Sequence, residues 1–275
     1  MSTKSLAFPM TGTAGPEPLR DCLTMLGRQV RRLRRYPELT VIVLVIPIVF
    51  LLLFVYVFGG TLGAGLTPGG GSRSDYANYV VPAILVMTIG SIAAGTSTSV
   101  TQDMTSGIIA RFRSMSISPG AVLTGHALAA VVQSAISLVV VFAVAFLVGF
   151  RPDAGALDWL GAVALLLGLS LAVAWLSVAA GLVARSVETS SNYPLPLVVL
   201  PFLGSGFVPT DSMPAGLAWF AEYQPFTPIM DTLRALLLGD SLGDGMAWIA
   251  IGWCVGLTAA GYVLARRVYA RPRKA

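Results

Sequence analysis

Six stretches of this sequence, 41–58, 79–100, 121–148, 159–184, 194–208 and 246–265, are apolar and carry no charged residue. A helix needs ~20 such residues to cross a hydrocarbon core, and most of these runs reach or approach that length. Inside lipid the backbone has no water to bond with, so helices and closed barrels are the only spanning solutions. The length of the runs selects helices. Only 11% of the 275 residues are charged, against roughly a quarter in soluble domains. The fold expected is therefore all-α, a polytopic membrane protein with six transmembrane helices.

The fifth run is the weakest: it is short and holds Pro194, Pro196 and Pro201 with Gly204 and Gly206. Proline removes a helical hydrogen bond, so this span is expected to be kinked or broken. Broken helices persist in membranes where protein or a water-filled cavity covers the freed backbone groups. Six crossings divide the basic residues fifteen to three, with the N-terminal segment, the second and fourth connections and the C-terminus on the rich side. Basic loops stay inside, which predicts cytoplasmic N- and C-termini. Tyr76, Tyr79, Trp159 and Trp248 fall at the predicted outer boundaries, and Tyr36 and Tyr193 at the inner ones. The polar residues 1–18 contain no signal-peptide core, so the first run is expected to be retained as a span.

Ahead of that span, Leu19, Leu23, Leu26, Val30 and Leu33 recur at four- and three-residue spacing, the stripe of an amphipathic helix. Its other faces carry arginines, including Arg28, Arg31, Arg32 and Arg35. Such a helix is expected to lie in the inner headgroup layer, with its stripe in acyl chains and its arginines on anionic lipid. Tyr36-Pro37 then turns the chain into the membrane.

Several functions are disfavoured by what the sequence lacks. The only lysines are Lys4 and Lys274, so there is no Walker A loop. The acidic residues lie in loops and at boundaries, whereas an ion-coupled carrier keeps carboxylates in its spans. A lone histidine, His126, has no carboxylate near it in sequence, and packing or polar lining is the expected role. Cys22 and Cys254 make neither a disulfide framework nor a zinc spacing. Ser205, between two glycines, has no partner base, and its expected role is backbone packing. No basic-aromatic groove for nucleic acid is present. Neither a catalytic nor a metal site is expected.

Two connecting segments exceed what topology requires. In the cytoplasmic one, 101–120, Ile108, Ile109, Phe112 and Met115 share one helical face, with Arg111 and Arg113 off it. Asp103 is expected near the N-terminus of that short helix, complementing its dipole, and Pro119-Gly120 ends it. The element suits docking in a groove of another protein. In the external segment, 209–245, Phe226, Ile229, Met230, Leu233 and Leu237 form a stripe, and Asp231 and Arg234 are spaced for a local ion pair. Two short helices dipping into the outer leaflet, broken at Pro225 and Pro228, are expected there.

These residues resemble ABC-2-type permeases, in particular the daunorubicin-resistance kind of drug exporter permease. The likeness runs from about Leu19 to Ala270. Asp103, Gly107, Arg111, Phe112 and Arg113 match the family's cytoplasmic pattern, with Met115-Ser116 departing from its usual Leu-Pro. Gly149-Phe150-Arg151-Pro152 matches its short outer turn. Phe207-Val208-Pro209 through Met213-Pro214, Gln224-Pro225-Phe226-Thr227, and Asp231, Arg234 and Gly239 match its re-entrant region.

The resemblance implies a division into a flexible tail (1–18), a connecting helix (19–36), a six-helix membrane domain (37–270) and a short tail (271–275). It implies a coupling helix that includes Asp103, Gly107, Ile108, Arg111, Phe112 and Arg113. It also implies an exporter half in a bacterial plasma (inner) membrane, paired with a second permease copy or a paralogue. Two separate P-loop ATPase subunits would hold ATP and Mg, and the chain itself would need no cofactor and catalyse nothing. Amphipathic drugs or lipid-like molecules are the expected cargo, with a polysaccharide or envelope polymer as the alternative and an ion-coupled carrier or channel as a distant third. Thr88, Ser91, Thr96, Ser97 and Gly204 are candidates for the substrate path, although Ser and Thr in spans commonly join helices.

Overall fold

The computed structural model describes residues 18–63, 72–107, 119–208, 210–243 and 245–270. It is helical throughout, with no strand among the described residues. Helix α1 (Pro18–Arg35) is followed by α2 (Glu38–Leu52), which passes through a π-helical turn, Leu53–Phe58, into α3 (Gly59–Gly63). The long helices α4 (Arg73–Thr105), α5 (Pro119–Val148) and α6 (Ala156–Val183) come next. Short helices α7 (Val187–Ser190), α8 (Leu195–Val199), α9 (Ala215–Tyr223) and α10 (Phe226–Leu238) precede α11 (Met246–Ala270).

Five helices are long and apolar enough to cross a membrane: Thr40–Thr61, Arg73–Thr105, Gly120–Val148, Ala156–Val183 and Met246–Ala270. The first is rich in Val and Ile and holds Pro47, poor helix residues in water. Lipid overrides that preference, because only an internally bonded backbone is tolerated there. Helix α4 is the axis of the bundle: 83% of its apolar window is buried, against 22% for the first span and 17% for α11. Its start is fixed by a capping box in which Ser72 and Asp75 bond each other's backbone. It stops at Gly107, whose φ of +73° is the left-handed turn that follows a helix end.

The proline-rich run 194–208 forms no continuous helix. Helix α8 gives way to a 3-10 turn, Leu200–Leu203, and then to turns. It runs antiparallel along α4. Ser97 Oγ donates to the Ser190 carbonyl at 2.8 Å. Tyr79 Oη donates to the Ser205 carbonyl at 2.7 Å, and Tyr76 Oη to that of Phe207 at 3.4 Å. Midway, Gly90 lets the broken segment touch the α4 backbone, since a Cβ there would stand 2.6 Å from the Leu197 carbonyl oxygen. From position 76 to position 97, α4 rises about 32 Å, close to the thickness of a hydrocarbon core.

The bundle therefore has two ends. One gathers α1, the C-terminal end of α4, the start of α5 and α7, and is called here the basic end. The other, the far end, gathers the start of α4, the 149–155 turn, α9 and α10. There Ser74 Oγ donates to the Gly149 carbonyl, and the Arg151 amide to Asn78 Oδ1.

Candidate functional site

At the basic end α1 packs on α5 so closely that a Cβ on Gly125 would stand 2.5 Å from Met25 Cβ. The face that α1 turns to the bundle holds Met25 and Gln29, both buried, with Arg28 and Arg32 beside them. Of the leucine stripe, Leu19 (83% exposed) and Leu23 (68%) point outward, as a stripe in acyl chains requires, while Leu26, Val30 and Leu33 are half-buried. Arg31 and Arg35 are exposed, as a lipid-facing role requires. Arg28 and Arg32 are corrections to that expectation, because both turn inward onto protein.

Arg28 Nη2 is bonded to Asp103 Oδ2. The same oxygen lies 3.0 Å from His126 Nε2, and the His126 ring meets Gln29 Nε2 at 3.0 Å. Arg32 donates to Ser99 Oγ at 2.7 Å and to Gln102 Oε1 at 2.9 Å. Three elements, α1, α4 and α5, thus converge on one buried carboxylate. Asp103 occupies the last turn of α4, not the first turn of a following helix. The α4 dipole opposes a negative charge there, and Arg28 and His126 offset it. His126, expected to lack a carboxylate, has one, brought by the fold from 23 residues away. Gly107 ends α4, while Ile108, Arg111, Phe112 and Arg113 lie outside the described residues.

Beside this junction is a cavity of about 550 Å³ between α1, α2, α4, α5 and α8, within the size range of small-molecule sites. Of the residues expected along a substrate path, Ser91 and Thr96 line it. Thr88 does not: it is fully buried, its hydroxyl bonded to the Ile84 carbonyl. Ser97 is spent on the Ser190 carbonyl, and Gly204 is packed under Gln224, Thr227 and Met230 of the far end.

At the far end, Pro214 and Pro225 are the N-cap residues of α9 and α10, and Gly239 ends α10 with a φ of +71°. Pro228 breaks nothing; it sits in the first turn of α10, where proline is tolerated. The stripe Phe226, Ile229, Met230, Leu233 and Leu237 is buried within the protein, whereas a helix dipping into the outer leaflet would turn it to lipid. Asp231 Oδ1 accepts from Arg234 Nη1 and from Ser205 Oγ, each at 2.6 Å. Arg234 also donates to the carbonyls of Ser205 (3.1 Å) and Tyr79 (3.3 Å), with its guanidinium 4.1 Å above the Tyr79 ring. Ser205 is thus a node of this network, more than a packing residue. Tyr76 is buried and Tyr79 half-buried against the broken segment, so neither serves as a headgroup anchor. Trp248, 77% exposed, keeps that role open. No His, Cys, Asp or Glu cluster suited to a metal occurs among the described residues.

A model of the ABC-2 type transporter family matches residues 20–238, from α1 to the end of α10. A daunorubicin resistance ABC transporter permease protein of Streptomyces coeruleorubidus is 28% identical over 265 residues, covering 94% of this chain and 90% of that protein. Both the Asp103 junction and the Asp231–Arg234 network fall inside the family match. The chain is a membrane permease belonging to the ABC-2 type transporter family.

Proposed function

We propose that this permease is the membrane half of an ATP-driven exporter, moving amphipathic drugs or lipid-like molecules out of a bacterial cell. In this reading 194–208 is a sixth crossing and both termini are cytoplasmic, as the fifteen-to-three division of basic residues favours. Two separate P-loop ATPase subunits bind ATP and Mg and act on a pair of permeases, identical or paralogous. The likeness to a daunorubicin resistance permease supports the drug class.

The observation that carries the reading is the Asp103 junction. The chain that follows it, 108–118, holds Arg111, Phe112 and Arg113, the residues proposed to meet the ATPase. Asp103 lies one turn before Gly107 and is bonded to both α1 and α5. A push on that segment would reach α4, α1 and α5 together, as coupling through a contiguous packed network requires. The test is co-purification with a P-loop ATPase, followed by ATP hydrolysis in the reconstituted complex. Replacing Arg111 and Arg113 together by Ala is expected to lower transport-stimulated hydrolysis about tenfold. Export that persists with no ATPase present would sink the proposal.

A further inference from the structure

The cavity beside the Asp103 junction gathers its charged and amide side chains toward one end and is mainly apolar toward the other. Gln29, Arg32 and Gln102 line the basic end; Ile46, Ile92 and Val198 line the deep end. Positions 91 and 102 of α4 both contribute to its wall, and they are separated by about 16 Å of helix. This is the shape of a site for an elongated amphiphile whose head sits near Arg32.

Charge decides which head. Arg32 is held by two neutral oxygens, Ser99 Oγ and Gln102 Oε1. Among the described residues no carboxylate is within ion-pairing distance of it. Asp103, which follows Gln102 on α4, is already bound to Arg28. Among the described residues no carboxylate lines the cavity, so Arg32 brings a positive charge to its mouth. A cation at the edge of an apolar space is poorly solvated and gains by recruiting an anion. Gln29 and Gln133 add amides that can bond a neighbouring oxygen.

We infer that this cavity selects acidic amphiphiles, molecules with an apolar body and one carboxylate or phosphate group, and that Arg32 is the residue that takes the acid. The inference rests on the exporter reading for its purpose, but not for its test. The head that fits is shared by soluble acidic amphiphiles and anionic lipids.

The experiment uses the full chain in phosphatidylcholine nanodiscs, without nucleotide or ATPase. Three photoreactive probes of equal chain length are compared: a diazirine fatty acid, its methyl ester and the corresponding primary amine. Labelled peptides are mapped by mass spectrometry. The acid is expected to label 91–102 and 42–46 most strongly. Arg32→Gln is expected to reduce that labelling about tenfold, the loss of one charge-assisted bond, and to leave ester labelling unchanged. Arg31→Gln, on the exposed face of the same helix, should change nothing. Equal labelling by acid, ester and amine in the wild-type chain would overturn the inference, whether or not the variant folds. So would equal losses in Arg31→Gln and Arg32→Gln, which would mark surface charge alone. Titration with phosphatidylglycerol then identifies the source: displacement of the acid assigns the site to a lipid headgroup, and retention assigns it to a soluble amphiphile. Because no ATPase is present, acid selectivity can fail while ATPase co-purification succeeds, and the converse.

Discussion

Helix α4 is tied at both ends by an Asp–Arg pair, and the two pairs are built differently. At the basic end Asp103 belongs to α4 and Arg28 to α1, 75 residues apart, with His126 of α5 on the same oxygen. At the far end Asp231 and Arg234 are one turn apart on α10, and the ties to α4 and the broken segment are bonds from Arg234 to neutral carbonyls and one from the Ser205 hydroxyl to Asp231. The first pair is itself the joint between elements. The second is a local pair that orients a donor, and the donor makes the joint. A joint made of charge fails badly when one partner goes, because the other is left buried and unpaired. A joint made of carbonyl bonds loses them one at a time.

The sharpest way to break this contrast is to remove the two carboxylates separately. Asp103→Ala strands Arg28 and His126, and His126 is almost fully buried. A broken buried pair costs ~3–5 kcal/mol, but the Arg28 side chain is 34% exposed, so about 2–3 kcal/mol is expected here. Asp231→Ala strands an arginine only 16% exposed, but Arg234 keeps its two carbonyl bonds and the Tyr79 ring, so the cost should be about 1–2 kcal/mol, below that of Asp103→Ala. Unfolding of the purified chain in mixed micelles measures both. Equal costs would erase the distinction between the two ends.

A second, smaller effect is expected from Arg234→Met, which keeps the apolar stem and deletes the guanidinium. It removes two carbonyl bonds, the ion pair and the contact with the Tyr79 ring, about 2 kcal/mol together. The loss should be local. Hydrogen exchange should rise in α9, α10 and 200–207 and stay unchanged in α1. Exchange rising throughout the bundle would show that the far end is no independent unit.

The helical architecture was legible because lipid leaves the backbone few options: five of the uncharged runs form helices long enough to cross a membrane, and the prolines of 194–208 mark where a helix breaks. The i, i+3 pair and the apolar stripe on α10 were legible because they are periodic and local; that the stripe packs on protein and not on lipid was not. The Asp103 junction was not. Its partners lie 75 and 23 residues away, and nothing in the spacing of Arg28 singles it out from Arg31. Of the α1 faces, the outward leucines were legible and the inward polar contacts were not. In water an apolar stripe marks the protein core, but lipid is as apolar as leucine and gives helices no such reason to associate. Leu19 and Leu23 face outward, while Gln29 and Arg32 make the contacts with protein. Tyr76 and Tyr79 were misplaced alike: their hydroxyls were assigned to headgroups, when the broken segment 194–208 had freed carbonyls for them to bond.

Those carbonyls give the finest test. The Ser205 carbonyl accepts two bonds, from Tyr79 Oη at 2.7 Å and from Arg234 Nη2 at 3.1 Å. Tyr79→Phe deletes the first and keeps the ring under the guanidinium, so the carbonyl remains bonded and the cost should be only about 0.5–1 kcal/mol. Arg234→Met alone likewise leaves the tyrosine bond. The double variant strips the carbonyl of both donors in a segment whose backbone cannot turn to water. Its cost should exceed the sum of the singles by about 1–2 kcal/mol, the penalty of one unsatisfied buried acceptor. Simple additivity in that cycle would mean that the carbonyl finds another donor. The broken segment would then be held by packing against Gly90, and the far-end network would be incidental to it.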